Sequence, residues 1–369
     1  MSILEQLRGR VSDMLDALDA LVSTESPSSD PGAGVACGDV ARRLAKELLG
    51  DECEQISVGE RVHLRWRFGG ETKVLLLGHL DTVWPTGTTE RWPFGVEGDV
   101  ATGPGCFDMK AGVVQSLFAL QTLDSLDGVA LVLTTDEELG SPTSRELIAE
   151  TVGGARGVLV AEPSAAGSLK TARKGVSAYR VSITGRAAHA GLEPEKGINA
   201  VVEVAHQVLA IHALESPEDG TTVTPSVITA GSTSNTVPGA ATLQVDVRAL
   251  TAAEQERVDS AMRLLTPQVS GATIAVERVA TTTPLERTSS AELYALAGKV
   301  ASDLGLSAPT EASVGGGSDG NFTAGLGFPT LDGLGAVGGN AHAEGEWVSV
   351  SAMPERAALM AGLVRELLR

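Results

Sequence analysis

His79 and Asp81 are the first residues in the chain whose types and spacing suggest chemistry. They follow the apolar run Val74–Leu77, and only a glycine separates that run from the imidazole. Such a run is typical of a buried parallel strand, and open α/β sheets bind their ligands at the carboxyl ends of their strands. We therefore predict that an imidazole and a carboxylate stand at the mouth of a catalytic site.

The same pattern, an apolar run that ends in acidic side chains, recurs twice. Val129–Leu133 leads into Glu137 and Glu138, and Gly157–Val160 leads into Glu162. Because neighbouring parallel strands end at one edge of a sheet, we expect these carboxylates to meet at that edge.

Two further segments supply candidate ligands. Asp108 lies in the Gly/Pro turn Gly103–Lys110, directly before a helical pattern at Ala111–Leu123. His342 lies in a Gly-rich loop after the apolar segment Pro329–Leu334. The sequence thus offers two imidazoles and several carboxylates to one site.

Several carboxylates at one pocket edge would repel each other and take up protons if no cation were present. One or two divalent cations remove that cost, and a set of imidazoles and carboxylates suits zinc, with cobalt or manganese as alternatives. Two cations a few Å apart polarise a carbonyl and lower the pKa of a bridging water, which requires a nearby unligated base. The pair Glu137 and Glu138 offers one ligand and one base. Asp81 suits a contact to the imidazole N–H of His79 that turns the other ring nitrogen to the metal.

At these positions the chain resembles the co-catalytic zinc exopeptidases. That family includes glutamate carboxypeptidase (carboxypeptidase G type), acetylornithine deacetylase, succinyl-diaminopimelate desuccinylase and aminoacylases. The resemblance covers nearly the whole chain. The motifs that carry it are His79-Leu80-Asp81-Thr82-Val83, Gly103-Pro104-Gly105 through Asp108-Met109-Lys110-Ala111-Gly112, Thr135-Asp136-Glu137-Glu138, Ala161-Glu162-Pro163, Gly185 through His189-Ala190-Gly191, and Gly316-Gly317-Ser318-Asp319.

The resemblance implies two zinc ions per subunit, one bridging carboxylate and one general base. The residues matched to these roles are His79 and Glu162 for one ion, Glu138 and His342 for the other, Asp108 as the bridge, and Glu137 as the base.

The segments Asp81–Thr88, Arg91–Phe94, and Glu138–Ser141 with Ser144-Arg145 look most like the glutamate carboxypeptidase branch. Members of that branch hydrolyse amides to C-terminal or N-acylated amino acids, often glutamate. We therefore expect a carboxypeptidase-type hydrolase that acts on a small peptide or N-acyl amino acid. The alternatives are an N-acyl-amino-acid deacylase of the acetylornithine deacetylase or aminoacylase type and a non-catalytic binding protein of the same fold. The intact Glu137 and the full ligand set argue against the non-catalytic alternative.

Periodicity indicates an α/β fold with two domains. Between Tyr179 and Val279 the order of strands and helices is βαββαβ, a ferredoxin-like α+β unit, and it is inserted because His342 follows it. We place the catalytic domain, a mixed and largely parallel sheet flanked by helices, at residues 1–174 and 284–369, and the inserted domain at 175–283. The resemblance implies that the inserted domain is a lid that also pairs two subunits into a homodimer.

Two residues of the inserted domain are candidate substrate contacts. Arg248 is suited to a bidentate pair with a substrate carboxylate, and a surface ion pair is an equally weighted alternative. His189 resembles the family histidine that reaches a neighbouring subunit's site and stabilises the oxyanion, with a loop-capping histidine as the alternative.

Three further residues are weaker candidates for substrate contacts. Asn199 suits either a substrate contact or a helix cap. Gly317 and Ser318 lie in a Gly-rich stretch whose backbone N–H groups suit a carboxylate, with tight-turn scaffolding as the alternative. No Lys-Ser or Lys-Thr follows that stretch, which argues against a nucleotide loop.

Composition limits the partners. The 369-residue chain has 28 basic and 47 acidic residues and a net charge of −19, which would repel nucleic acid and anionic membranes. Its apolar runs are too short to span a bilayer. The three cysteines are widely spaced, and the segment Met1–Val22 is amphipathic rather than a signal peptide. We expect a cytoplasmic enzyme.

Overall fold

A computed structural model of the protein describes residues 2–369. Contacts within the chain divide it into two compact units. The first unit comprises Met1–Ala172, Arg287–Val314 and Ser318–Arg369, and the inserted unit comprises Arg173–Glu286 and Gly315–Gly317.

A mixed six-stranded sheet forms the centre of the first unit. Four neighbouring strands are parallel, and an antiparallel hairpin extends one side. Across the sheet the strands are Glu54–Val58, Arg61–Phe68, Val129–Thr134, Val74–His79, Gly157–Val160 and Thr330–Leu331.

The central strand Val74–His79 is buried along its whole length. Val74 and Leu76 pack into one hydrophobic cluster and Leu75 and Leu77 into another, so the sheet has a core on each face. This is the largely parallel, helix-flanked sheet that the continuous apolar runs predicted.

Helices cover this sheet. The helix Ala111–Gln121 is almost entirely buried and packs against the C-terminal helix Ala352–Leu368. No helix among residues 2–369 has both the length and the apolar composition needed to cross a membrane. The other helices of the first unit are Ile3–Arg8, Val11–Val22, Pro31–Leu49, Thr88–Arg91, Arg145–Val152, Arg287–Asp303 and Asp319–Gly325.

A second, antiparallel sheet in the first unit consists of Gly95–Glu97, Val100–Thr102, Trp347–Ser349 and Gly338–Gly339. The loop that carries His342 joins the last two of these strands in the chain, and the strand Val100–Thr102 leads directly into the turn that carries Asp108. The pairing of these strands therefore brings two distant segments of the chain together. A separate strand pair is formed by Leu169–Arg173 and Glu311–Val314.

The inserted unit has the predicted βαββαβ order. Its helices Ala200–His212 and Ala252–Arg263 pack against the sheet through buried residues such as Val204 and Val258. Two short strands, Ala188–His189 and Thr236–Val237, form a separate pair. Across the antiparallel sheet the strands are Thr222–Ala230, Ala240–Ala249, Gly175–Thr184 and Thr273–Thr282.

Candidate metal centre

The carboxyl edge of the parallel strands carries the acidic residues. Strand register places His79 opposite Thr134, so two neighbouring strands end at the same level. Glu137 and Glu138 lie in the helical turn that follows Val129–Thr134, and Glu162 follows Gly157–Val160, the strand on the other side of Val74–His79.

Asp108 lies between two histidines. Its two carboxylate oxygens are 3.3 Å from Nε2 of His79 and 3.4 Å from Nε2 of His342. The same nitrogen of each imidazole also faces a second carboxylate: Oε1 of Glu162 is 3.4 Å from His79 Nε2, and Oε1 of Glu138 is 3.1 Å from His342 Nε2. The site is therefore two imidazole–carboxylate pairs joined by one shared carboxylate.

The donor atoms fit divalent cations. Nε2 of His79 and Oδ1 of Asp108 are buried and have no hydrogen-bond partner within residues 2–369, and a buried polar atom in that state costs about 1–3 kcal/mol. Bound cations would remove that cost. Two sets of residues have ligand atoms within 4.8 Å of one another, and these are His79 with Asp108 and Glu138, and His79 with Glu137 and Glu162.

The pKa values of these groups also indicate that the site suits cations. Hydrogen bonds to Asp108 and Glu138 raise the pKa of His342 to about 10. Burial alone would raise the pKa of Asp108, but its contacts with His342 and His79 lower it overall. The carboxylates thus favour positive charge at the position of the imidazoles, and divalent cations would supply that charge.

Asp81 positions the ligands through its backbone and its side chain. Its peptide oxygen accepts the Nδ1–H of His79 at 2.9 Å, which leaves Nε2 for the metal side. The sequence predicted this contact for the carboxylate, whose Oδ1 lies 3.6 Å from that nitrogen. The carboxylate instead accepts the backbone N–H groups of Glu137 and Glu138, each at 3.2 Å.

Two buried aspartates behind the Glu137 turn were not predicted. Asp136 accepts hydrogen bonds from the backbone of Thr143 at 2.7 Å and fixes the chain after the turn. Asp319 accepts hydrogen bonds from the hydroxyls of Thr134 and Ser141, and burial raises its pKa to about 6. Both residues stand in recognisable motifs, but their burial depends on tertiary packing.

Glu346 was also missed. It is fully buried and contacts the Asp108 turn. The only local signal is its place in the loop after His342, because no periodicity in the sequence distinguishes it from the exposed Glu344 two residues earlier.

Two predicted substrate contacts of the inserted unit have intramolecular partners. Nε and Nη2 of Arg248 pair with the carboxylate of Asp246 at 2.9 and 3.1 Å, the ion pair considered as the alternative. Nδ1 of His189 accepts the backbone N–H groups of Gly191 and Leu192 at 3.1 and 3.2 Å. The proton of the neutral His189 ring is therefore on Nε2, which is suited to donate to an oxyanion.

The weaker candidates occupy caps and turns. Asn199 accepts hydrogen bonds from two backbone N–H groups at the start of the helix Ala200–His212. Ser318 caps the helix Asp319–Gly325 and donates to Asp332 at 2.6 Å. Gly317 belongs to the inserted unit, and Ser318 belongs to the first unit.

Comparison with known proteins decides the family. Residues 75–366 match the model of Peptidase family M20/M25/M40. The chain belongs to this family. It is 32% identical to carboxypeptidase G2 of Pseudomonas sp. (strain RS-16) over 372 residues, which cover 96% of this chain and 89% of that protein. The M20 chain is therefore a metal-dependent peptidase or amidohydrolase, as the resemblance predicted.

Two other known proteins are similar over nearly the whole chain. Succinyl-diaminopimelate desuccinylase of Stenotrophomonas maltophilia is 27% identical over 385 residues, covering 97% of this chain and all of that protein, 100%. The crystal structure of aminopeptidase PepT from Bacillus cereus has the same fold, with a TM-score of 0.75 at 19% identity, covering 98% of this chain and 99% of that one.

Proposed function

We propose that this protein is a two-zinc hydrolase that cleaves the amide bond to an amino acid in the manner of a carboxypeptidase. The observation that carries the proposal is the position of Asp108 between the two histidines, with Glu137 beside them. The similar protein carboxypeptidase G2 is a carboxypeptidase by name, and this supports a substrate with a C-terminal amino acid.

Each proposed ligand has a partner across the site. His79 and Glu162 would hold one cation and His342 and Glu138 the other, with Asp108 shared between them. Zinc ions bound there would polarise the substrate carbonyl and acidify a water molecule.

Glu137 is the proposed general base. Its Oε2 is 4.0 Å from Nε2 of His79, so it faces the site, and its backbone is fixed by Asp81. Burial raises its pKa, and the nearby Glu162 carboxylate raises it further against the opposing effect of His79. A carboxylate with a raised pKa accepts a proton from the attacking water and passes it to the leaving nitrogen.

The two main proposed substrate contacts, His189 and Arg248, belong to the inserted unit. Nε2–H of His189 would stabilise the oxyanion, and Arg248 would exchange Asp246 for the α-carboxylate of the substrate. Asn199 and Ser318 are assigned weaker substrate contacts because their side-chain oxygens already bond within the chain. Gly317, whose carbonyl oxygen accepts from Arg173, is assigned a weaker contact through its N–H group.

The second candidate function is N-acyl-amino-acid deacylation. Acetylornithine deacetylase of Myxococcus xanthus and the desuccinylase above are among the relatives, so the metal site is compatible with a non-peptide acyl group. A panel that compares N-acyl amino acids with dipeptides and aromatic acyl glutamates, with zinc and with cobalt, separates the two functions. No turnover of any member would instead favour a non-catalytic binding protein.

Glu137→Gln tests the proposed mechanism. The amide cannot take a proton from water, so we expect kcat to fall by about 10²- to 10⁴-fold while two metal ions per subunit remain bound. Metal content is measured by atomic emission and turnover by a stopped assay. Glu344→Gln, at an exposed carboxylate of the His342 loop, is the control and should retain both properties. Near-normal turnover in Glu137→Gln would remove this residue as the base.

A cytoplasmic homodimer is the proposed state of the protein. Cys37, Cys53 and Cys106 are free thiols, which suits a reducing compartment. The helix Ala200–His212 exposes apolar side chains and the strand Thr222–Ala230 is at a sheet edge, two features that suit pairing of subunits.

A further inference from the structure

The Glu346 carboxylate has an unusual set of partners for a buried acidic group. Its side chain is fully buried, and four N–H groups donate to it. Oε1 accepts from Phe107 and Asp108 at 2.8 and 2.9 Å, and Oε2 accepts from Gly105 and from Nε1 of Trp84 at 3.0 and 2.8 Å.

Three of these donors belong to the backbone of the turn that presents Asp108. One of them is the N–H of Asp108 itself. Successive N–H groups that point at one carboxylate make a small anion-binding nest, and the anion in turn fixes the local backbone. Glu346 therefore fixes the backbone conformation at Asp108, whose carboxylate lies between His79 and His342.

Glu346 also belongs to the loop that carries His342. Its own N–H donates to Ala343 at 3.2 Å, and the N–H of Ala343 donates to Asn340 at 3.0 Å, so the loop around His342 is internally hydrogen-bonded. The next residue, Trp347, pairs with Thr102 immediately before the Asp108 turn. The Glu346 side chain thus joins the segment that carries Asp108, the proposed bridging ligand, to the segment that carries His342, a proposed ligand of one cation.

We propose that Glu346 is a positioning residue for the metal centre: its carboxylate holds the Asp108 turn at the spacing from His342 that lets one aspartate serve two cations. The proposal rests on the metal site of the proposed function. A glutamine cannot replace this carboxylate, because its NH₂ group would face two N–H donors.

Cobalt binding tests the proposal without using activity. We expect Glu346→Gln to bind Co²⁺ about 10- to 100-fold more weakly than the wild type, as measured by calorimetric titration, and to have an altered visible Co²⁺ spectrum. Glu346→Asp keeps the charge but shortens the side chain, so a smaller loss in the same direction is expected. If Glu346→Gln does not fold, the Co²⁺ affinity and spectrum of Glu346→Asp provide the test.

Glu203→Gln is the matched control. Glu203 is also fully buried, accepts the backbone N–H groups of Gln268 and Val269 at 2.9 and 2.6 Å, and lies in the inserted unit. We expect loss of the Glu203 carboxylate to lower the Tm and to leave the Co²⁺ affinity and the Co²⁺ spectrum unchanged.

The outcomes separate the inference from the proposed function. A wild-type protein that binds no Co²⁺ or Zn²⁺ would contradict the proposed function. If the wild type binds two ions and both Glu346 variants bind them with the same affinity and spectrum, the positioning role is overturned even if their Tm falls.

Discussion

At the scale of single residues, polar side chains of the site make two contacts each, through two different polar atoms. The ring of His79 donates from Nδ1 to a peptide oxygen and presents Nε2 to Asp108, and each oxygen of Asp108 faces a different imidazole. The fixed ring orientation and the shared carboxylate suit the binding of divalent cations.

Arg248→Ala tests substrate recognition at this scale. Loss of a charge-assisted bidentate contact is worth about 1.5–3 kcal/mol, so we expect KM to rise about 10- to 100-fold for substrates with a free α-carboxylate. Initial rates on matched free and carboxyamidated substrates give the two KM values. An equal rise for both substrates would contradict the carboxylate contact.

Asp246→Asn is the control for that variant. It removes the charge that pairs with Arg248 in the structure and keeps the guanidinium. We expect it to retain the preference for the free carboxylate, because the proposed substrate contact does not need Asp246.

At the scale of elements, tight turns deliver the ligands to the strand edge. Gly105 has φ +72°, and a Cβ there would lie 2.5 Å from Cγ2 of Thr82, next to the His79 segment. The turn that carries Asp108 therefore packs against the segment that carries Asp81 only because residue 105 has no side chain.

Gly105→Ala tests this packing. The left-handed backbone costs about 1–2 kcal/mol for alanine, and the steric contact adds about 1–3 kcal/mol of overpacking. Gly50→Ala is the matched control, because Gly50 has φ +79° and no atom within 4 Å of the added Cβ. Urea denaturation should show a larger loss of unfolding free energy for Gly105→Ala. Equal losses in the two variants would show that Thr82 moves away without cost.

At the scale of the whole molecule, the inserted unit leaves an apolar surface open. Val202 and Leu209 on one helix are 45% and 70% exposed, and Val227 and Ile228 on the neighbouring edge strand are 47% and 52% exposed. This surface is the basis for the proposed homodimer.

Leu209→Asp tests the dimer. A charge in an apolar contact is unfavourable, so we expect sedimentation velocity to show monomers where the wild type forms dimers. Leu264→Asp is the control, since Leu264 is 77% exposed at the end of the other helix and should leave the dimer intact. A wild-type protein that is monomeric at micromolar concentration would contradict the proposal.

The sequence alone determined the fold class and the family. Apolar runs such as Val74–Leu77 report burial on both faces of a strand, and the residue types that follow them report ligand chemistry, because both signals are local in the chain. The motif around His79 and the pair Glu137 and Glu138 needed no knowledge of distant contacts.

Only the tertiary structure decided how those residues support one another. Glu346 looks like an ordinary acidic residue in sequence, and the motif that contains Asp319 does not report its burial. The burial of both residues comes from the pairing of strands and loops far apart in the chain. The same holds for Asp81, whose carboxylate contacts Glu137 and Glu138 while its peptide oxygen contacts His79. Residue type and spacing specify which chemistry is available, but the direction of a hydrogen bond depends on three-dimensional packing that no short window of sequence contains.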